Sequence, residues 1–180
     1  YKQKEQIHKQ IGQNNIILLQ RSQNTADAFF IPKIRRNFMQ LVVSEKPSVG
    51  SSIAKVLGAH TRKDGYIEGS GYIISWCIGH LVAPAPPEEY DDRYRRWDIL
   101  DLPIVPDVWK YQVLKGTAKQ FNLLKRLMNR RDVTEIICAT DAGREGEHIF
   151  RLVYNEAGCN KPLKRLWISS LEEQSIRNGF

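Results

Sequence analysis

The stretch Ile136–Phe150, IICATDAGREGEHIF, constrains the fold of this chain more than any other. An apolar run, Ile136-Ile137-Cys138-Ala139, stops at Thr140-Asp141, and a Gly-bracketed acidic and basic cluster (Asp141, Gly143, Arg144, Glu145, Gly146, Glu147) opens an amphipathic segment. The pattern predicts a buried strand entering a tight loop and then a helix N-terminus. Carboxylates placed there lie beyond the carboxyl edge of a parallel sheet, the usual ligand position of open α/β folds. Asp141 and Glu145 are hard oxygen donors with small residues between them, so both can turn toward one small cation; Mg²⁺, which takes a few carboxylates plus phosphate and water, suits them. Arg144, in the same turn, can meet a phosphate through its planar fork. The same residues admit a plainer reading, an acid-capped helix whose Asp and Glu answer the macrodipole with no ligand at all.

A second tip of the same kind opens at Leu41, in LVVSEKPSVGSSIAKVLGA. A short apolar strand ends at Ser44-Glu45-Lys46, Pro47 takes a helix-starting position, Ile53, Val56 and Leu57 give one apolar face, and Gly58 closes the helix. Glu45 thus occupies the same kind of edge as Asp141, and neighbouring strands would bring three carboxylates together. The alternative is a solvated turn.

Between the tips, Gly65–Cys77 reads as a hairpin turning at Gly69-Ser70-Gly71. Gly79 to Pro106 is rich in Pro, Asp and aromatics and predicts a long loop, which Tyr90, Tyr94, Trp97 and the nearby Trp109 would order. Within it, Arg93-Tyr94-Arg95-Arg96-Trp97 combines guanidinium groups with an aromatic face, the pairing that holds a phosphate backbone and stacks a base in single-strand binding; a solvated loop whose Trp packs inward is the competing reading. His80 could donate to a phosphate or satisfy a local backbone group. A helix is predicted over Lys115–Arg131, another from Glu145 to Ala157 ended by Gly158, a strand over Leu163–Ile168, and a final helix capped by Ser169-Ser170 with Glu172 and Glu173 in its first turn. Strands alternating with helices argue for a parallel α/β sheet.

Composition narrows the class. With 42% hydrophobic and 26% charged residues in 180, the chain has the make-up of a globular domain with a real core. No run approaches the ~18 apolar residues of a membrane span, and no signal peptide is evident, so a cytoplasmic protein is expected. Cys77, Cys138 and Cys159 form no CxxC, and the four histidines show no metal spacing, which leaves no zinc ribbon or disulfide framework. The net charge of +7 is unevenly placed: residues 1–39 hold seven Lys/Arg against two Asp/Glu, and residues 40–180 twenty against eighteen, a net of only +2. Overall basicity is therefore weak evidence for nucleic acid, and local clustering has to carry that argument. Residues 1–38 are Gln- and Asn-rich without periodicity, and Met39 stands directly before a clear strand. A poorly ordered leader or upstream segment over 1–38 and a domain over 39–180 are expected.

Four ordered motifs, LVVSEKPSVGSSIAKVLGA, the GHL-to-LP loop with RRWDILDLP, ATDAGREGEHIFRLVY and KRLWISSLEEQSIRNGF, together resemble the N-terminal Toprim domain of bacterial type IA DNA topoisomerases, topoisomerase III branch. The resemblance implies a Toprim fold, a mostly parallel central sheet flanked by helices with a long aromatic-rich insertion loop. It implies an isomerase that cleaves and rejoins single-stranded DNA with Mg²⁺ and without ATP. By it, Glu45 is associated with Mg²⁺ and with proton transfer at the scissile phosphate. Asp141 and Glu145 match the first and last acids of a DxDxE motif, Lys46 and Arg144 match phosphate contacts, and Trp97 matches a contact to single-stranded DNA. Gly143 departs from the pattern by standing where the middle acid would be, which should weaken cation binding. These enzymes attack DNA with a tyrosine from a later domain, so the partners implied are single-stranded DNA and downstream domains of the same enzyme, and none of the seven tyrosines here takes that role. A Toprim nuclease or primase would share the acidic tips but lack the GHL-to-LP loop, and a non-catalytic nucleic-acid-binding module would use the acids structurally.

Overall fold

The computed structural model describes residues 38–180. Its elements are β1 (Met39–Ser44), α1 (Pro47–Leu57), β2 (Thr61–Lys63), β3 (Tyr66–Gly69), β4 (Tyr72–Trp76), β5 (Val82–Pro84), β6 (Tyr111–Val113), α2 (Ala118–Met128), β7 (Val133–Ala139), α3 (Arg144–Glu156), β8 (Leu163–Arg165) and α4 (Glu173–Gly179). Six strands form one sheet in the order β2-β3-β4-β1-β7-β8. The pairs β4·β1, β1·β7 and β7·β8 are parallel, and β2·β3 and β3·β4 are antiparallel. The expected mostly parallel α/β sheet is thus present, with an antiparallel hairpin on one flank.

The central strands carry continuous apolar runs, Leu41–Val43 in β1 and Ile136–Ala139 in β7, because both faces of the sheet are covered there. Leu41 and Val43 of β1, with Ile136 and Cys138 of β7, join Phe121 and Leu124 of α2 and Phe150 and Val153 of α3 on one face. Val42, Ile137 and Ala139 point the other way, onto Ile53 of α1 and Ile176 of α4. All of these side chains are buried. At ~25 cal/mol per Å² of apolar surface, these two layers supply the main force holding β1 and β7 side by side, and that pairing positions the site.

Local chemistry explains the element ends. Pro47 opens α1, and Gly58 at φ 73° closes it with its N–H donating to Ala54 and Lys55 carbonyls. α2 is shorter than its apolar period suggests. Residues Lys115–Thr117 form a 3₁₀ turn, and the Asn129 side chain donates to the Lys125 carbonyl at 2.9 Å as the helix ends. α4 starts at Glu173, not at the serines, because the Ser170 hydroxyl accepts the Glu172 N–H at 3.1 Å in a turn preceding the helix. The strand expected over Leu163–Ile168 pairs with β7 only through Arg165. The long loop contains β5, paired antiparallel with β6, and three 3₁₀ turns. Apart from Phe38, which is exposed, the segment expected to be a leader lies outside the described residues. Among the described residues no helix is long and apolar enough to cross a membrane.

Candidate active site at the sheet edge

Ser44 of β1 pairs with Ala139 of β7, so the segments that follow, Glu45-Lys46 and Thr140-Asp141, leave the same edge side by side. Buried Ser44 fixes the first tip by donating from its hydroxyl to the Lys46 carbonyl at 3.0 Å. The Lys46 ammonium lies between two carboxylates, 3.6 Å from Glu45 Oε1 and 3.9 Å from Asp141 Oδ2. Glu45 is largely shielded, with 14% of its side chain exposed, whereas Asp141 is 62% exposed. Lys46 therefore stands where positive charge is held jointly by both strand tips. Glu145 points elsewhere, its Oε1 3.7 Å from His80 Nε2. The His80 ring also faces that of His148, with centroids 6.5 Å apart. Arg144 is exposed at the first position of α3 and makes no ion pair among the described residues.

Among the described residues no three His, Cys, Asp or Glu side chains are gathered as a ready cation cage. The donor chemistry nevertheless fits one small hard cation. Glu45 and Asp141 already share a positive group, both offer carboxylate oxygens, and Mg²⁺ takes most of its remaining ligands from water and phosphate. Glu145 can join only by leaving His80. The acid-capped-helix reading accounts better for Glu147, whose Oε1 accepts from Arg151 Nε at 2.7 Å one turn along.

A residue that the sequence patterns passed over, Arg165 at the end of β8, supports the loop. Its guanidinium donates to Thr140 Oγ1 at 2.8 Å and to the Asp141 carbonyl at 2.6 Å, and lies 3.4 Å from Glu147 Oε2. Thr140, in turn, donates to the Gly146 carbonyl at 2.8 Å. A basic residue ending a strand beside the acidic tip was the available signal, but it acquires meaning only through the β7·β8 pairing. Beneath the site, burial pushes the Cys77 thiol up to about 12, with the Cys138 and Glu45 charges adding to it. Cys77 is thus a neutral filler at ordinary pH.

The long loop carries its candidate side chains separately. Trp97 is 83% exposed, so it does not pack inward. Arg93 donates to the Tyr94 hydroxyl at 2.5 Å and lies over that ring at 4.6 Å. Arg93 and Arg95 also face acids, Asp91 at 3.5 Å and Asp92 at 3.1 Å. Arg96 makes no ion pair among the described residues, which leaves it as the freest cation beside Trp97.

A mostly parallel sheet with paired acidic tips at one edge is the architecture of a Toprim domain. The profile of that family, the Toprim domain, matches residues 40–171, and the chain belongs to it. The fold is shared with full-length topoisomerase I from Thermotoga maritima, at a TM-score of 0.51 and 22% identity over 77% of this chain and 20% of that one. In sequence the chain is 51% identical over 140 residues to DNA topoisomerase 3 of Bacillus thuringiensis (strain Al Hakam). It is 49% identical over 140 residues to DNA topoisomerase 3 of Bacillus subtilis (strain 168). Each of these matches covers 78% of this chain and 19% of the relative, so the chain spans about a fifth of the length of those curated relatives.

Proposed function

We propose that this chain is the Toprim part of a bacterial, cytoplasmic type IA DNA topoisomerase of the topoisomerase 3 branch, an isomerase that cleaves and rejoins single-stranded DNA with Mg²⁺. The observation that carries the reading is the sharing of Lys46 between Glu45 and Asp141 on adjacent strand tips, in a chain about half identical to proteins named DNA topoisomerase 3. A phosphodiester carries one negative charge, and Lys46 and Arg144 offer the cationic donors that hold it in line. Glu45, shielded at the β1 tip, is placed to pass a proton to the leaving oxygen as the attacking tyrosine gives up its own, and Lys46 stabilises charge developing there. Glu45 and Asp141, with Glu145 once released from His80, would hold the Mg²⁺, which supplies charge neutralisation at the phosphate. Trp97 and Arg96, with Arg93 and Arg95 of the same turn, receive the single strand, and His80, beside Glu145, can meet its phosphate. The nucleophile is a tyrosine of a downstream domain, and the phosphotyrosine link conserves the bond energy without ATP.

A Toprim nuclease or primase is the second reading, and the GHL-to-LP loop with its exposed Trp97 favours the topoisomerase. Plasmid relaxation separates them. The 180-residue chain alone should neither relax supercoiled DNA nor form a covalent adduct, whereas the chain joined to the downstream domains should relax it with Mg²⁺ and lose that activity on Glu45→Gln. Relaxation by the chain alone, or full activity of Glu45→Gln, overturns the assignment.

A further inference from the structure

Beside Asp141 lies an open cleft of about 490 Å³, walled by Val49 and Ile53 of α1, Ala139 and Asp141 at the end of β7, and Leu166 and Trp167 after β8. Its volume is within the range of small-ligand sites, and its lining is mostly apolar with a few polar groups, as such sites are. The chain builds it deliberately. Leu166 is buried and Ile168 half-buried because α4 lies against them; a Cβ on Gly179 would come within 2.6 Å of Leu166 Cδ1 and 2.8 Å of Ile168 Cγ2. With its two neighbours turned inward, Trp167 is left 74% exposed at the cleft. The exposed indole and the apolar slot beside it form one continuous face, and the cleft shares Asp141 with the phosphate site.

We infer that this cleft is a base subsite, in which Trp167 stacks a nucleobase of the DNA strand whose phosphate lies at Glu45, Lys46 and Asp141. The inference rests on the phosphate-site reading and extends it by a second stacking residue, distinct from Trp97. The chemistry chooses the occupant. Aliphatic walls and an indole face accept the flat surface of any base, the slot offers no cation among the described residues to hold a phosphate, and the Ser169 and Ser170 side chains that line it can meet base edges. A strand anchored by its phosphate at the tips needs only a neighbouring nucleotide to enter. Recognition would be tolerant of sequence, since every base offers a π-face.

The test uses the 180-residue chain, its Trp167→Ala and Trp167→Phe variants, an oligothymidylate of about a dozen nucleotides, and an abasic strand of equal length that keeps the phosphates and lacks bases. Trp167→Ala should weaken oligothymidylate binding about tenfold with an unchanged salt slope, Trp167→Phe should recover most of it, and the abasic strand should bind parent and variants alike. As a readout that does not depend on a variant folding, the Trp167 indole N–H resonance of the parent should shift with oligothymidylate and not with the abasic strand. Equal oligothymidylate affinity of parent and Trp167→Ala, with parent binding intact, overturns the base subsite alone. Failure of the folded parent to bind oligothymidylate overturns the single-strand reading and the subsite with it. A fall in self-association without a change in DNA binding gives the cleft to a protein partner and also refutes the proposal.

Discussion

Replacing Gly146 by alanine tests whether the loop carrying Asp141 is held in place by a backbone contact. By helix propensity alone the change should help, since Ala is favoured over Gly inside a helix by roughly 0.5–1 kcal/mol. The structure predicts the opposite sign. A Cβ on Gly146 would stand 2.4 Å from the Asp141 carbonyl oxygen, 2.9 Å from its nitrogen and 3.1 Å from its carbonyl carbon, where ordinary contact begins at 3.4 Å. The obstacle is backbone, so no side chain can turn away, and the loop must retreat by about 1 Å, the gap between the contact it would make and the contact it needs. That retreat pulls on the Thr140 hydroxyl bond to the Gly146 carbonyl and on the Arg165 bond to the Asp141 carbonyl. Overpacking of this kind costs about 1–3 kcal/mol, so after the propensity gain the net loss should be about 0–2.5 kcal/mol. Function should suffer more than stability, because a displacement of about 1 Å at a reacting group can cost on the order of a hundredfold. Urea unfolding of the 180-residue chain measures the first effect, and relaxation by the chain joined to its downstream domains measures the second. Gly116→Ala, whose Cβ meets nothing within 4 Å, is the control. A Gly146→Ala protein that is stabilised like an ordinary helix substitution and retains full relaxation would refute the close-contact argument.

The remaining predictions concern charge and the loop. Asp141→Asn should lower Mg²⁺ affinity measured by titration calorimetry, whereas Gly143→Asp, at an extended φ of −160° with open space around it, should raise it by adding the middle acid of the motif to Glu45, Asp141 and Glu145; unchanged affinity in both would place the cation elsewhere. Trp97→Ala should remove about 1–3 kcal/mol of single-strand binding, and Arg96→Ala should mainly flatten its salt dependence, both read by fluorescence anisotropy across a salt series. Parent-like affinity of Trp97→Ala would remove Trp97 from the interface. Asp132 is held below its ordinary range chiefly by its hydrogen bond from Arg130, at 2.6 Å. A depressed folded value means that its stabilising contribution is present above the unfolded value of 3.8 and is lost as pH falls through the folded one. With 39% of the side chain exposed, screening limits the effect to under about 1 kcal/mol, so Arg130→Met should flatten the acid limb of the urea midpoint only slightly; a steeper limb in the variant would contradict the sign.

The parts of the fold that could be read in the sequence are those with strong local causes. Pro47 and Gly58 bracket α1 because one has its φ preset and the other adopts a left-handed φ cheaply, and the Gly69-Ser70-Gly71 turn follows from the same freedom, with even Ser70 at φ 51°. The central strands were legible from unbroken apolar runs. β2 was not, since Thr61, Arg62 and Lys63 are all exposed and become a strand only by pairing with β3. β5 was hidden similarly, three residues made into a strand by β6 across a long stretch of chain. For the site, residue types sufficed to nominate Glu45, Asp141, Arg144 and Glu145, and the family resemblance added Lys46. They could not say that Lys46 would stand between Glu45 and Asp141, or that Glu145 would turn to His80.

What the sequence by itself determined, then, is the chemistry available and the kind of place where it is displayed: acids and cations immediately after apolar strands, and an aromatic among arginines in a long loop. Only the tertiary structure decided which of these meet. β1 and β7 are adjacent because two apolar layers cover both faces of the sheet, and that adjacency brings Glu45 and Asp141 to one ammonium. β8 lies beside β7 for the same reason, and its last residue, Arg165, becomes the support of the Asp141 loop. Strand order is a property of burial summed over the whole domain, with partners far apart in the chain, so no local stretch encodes it.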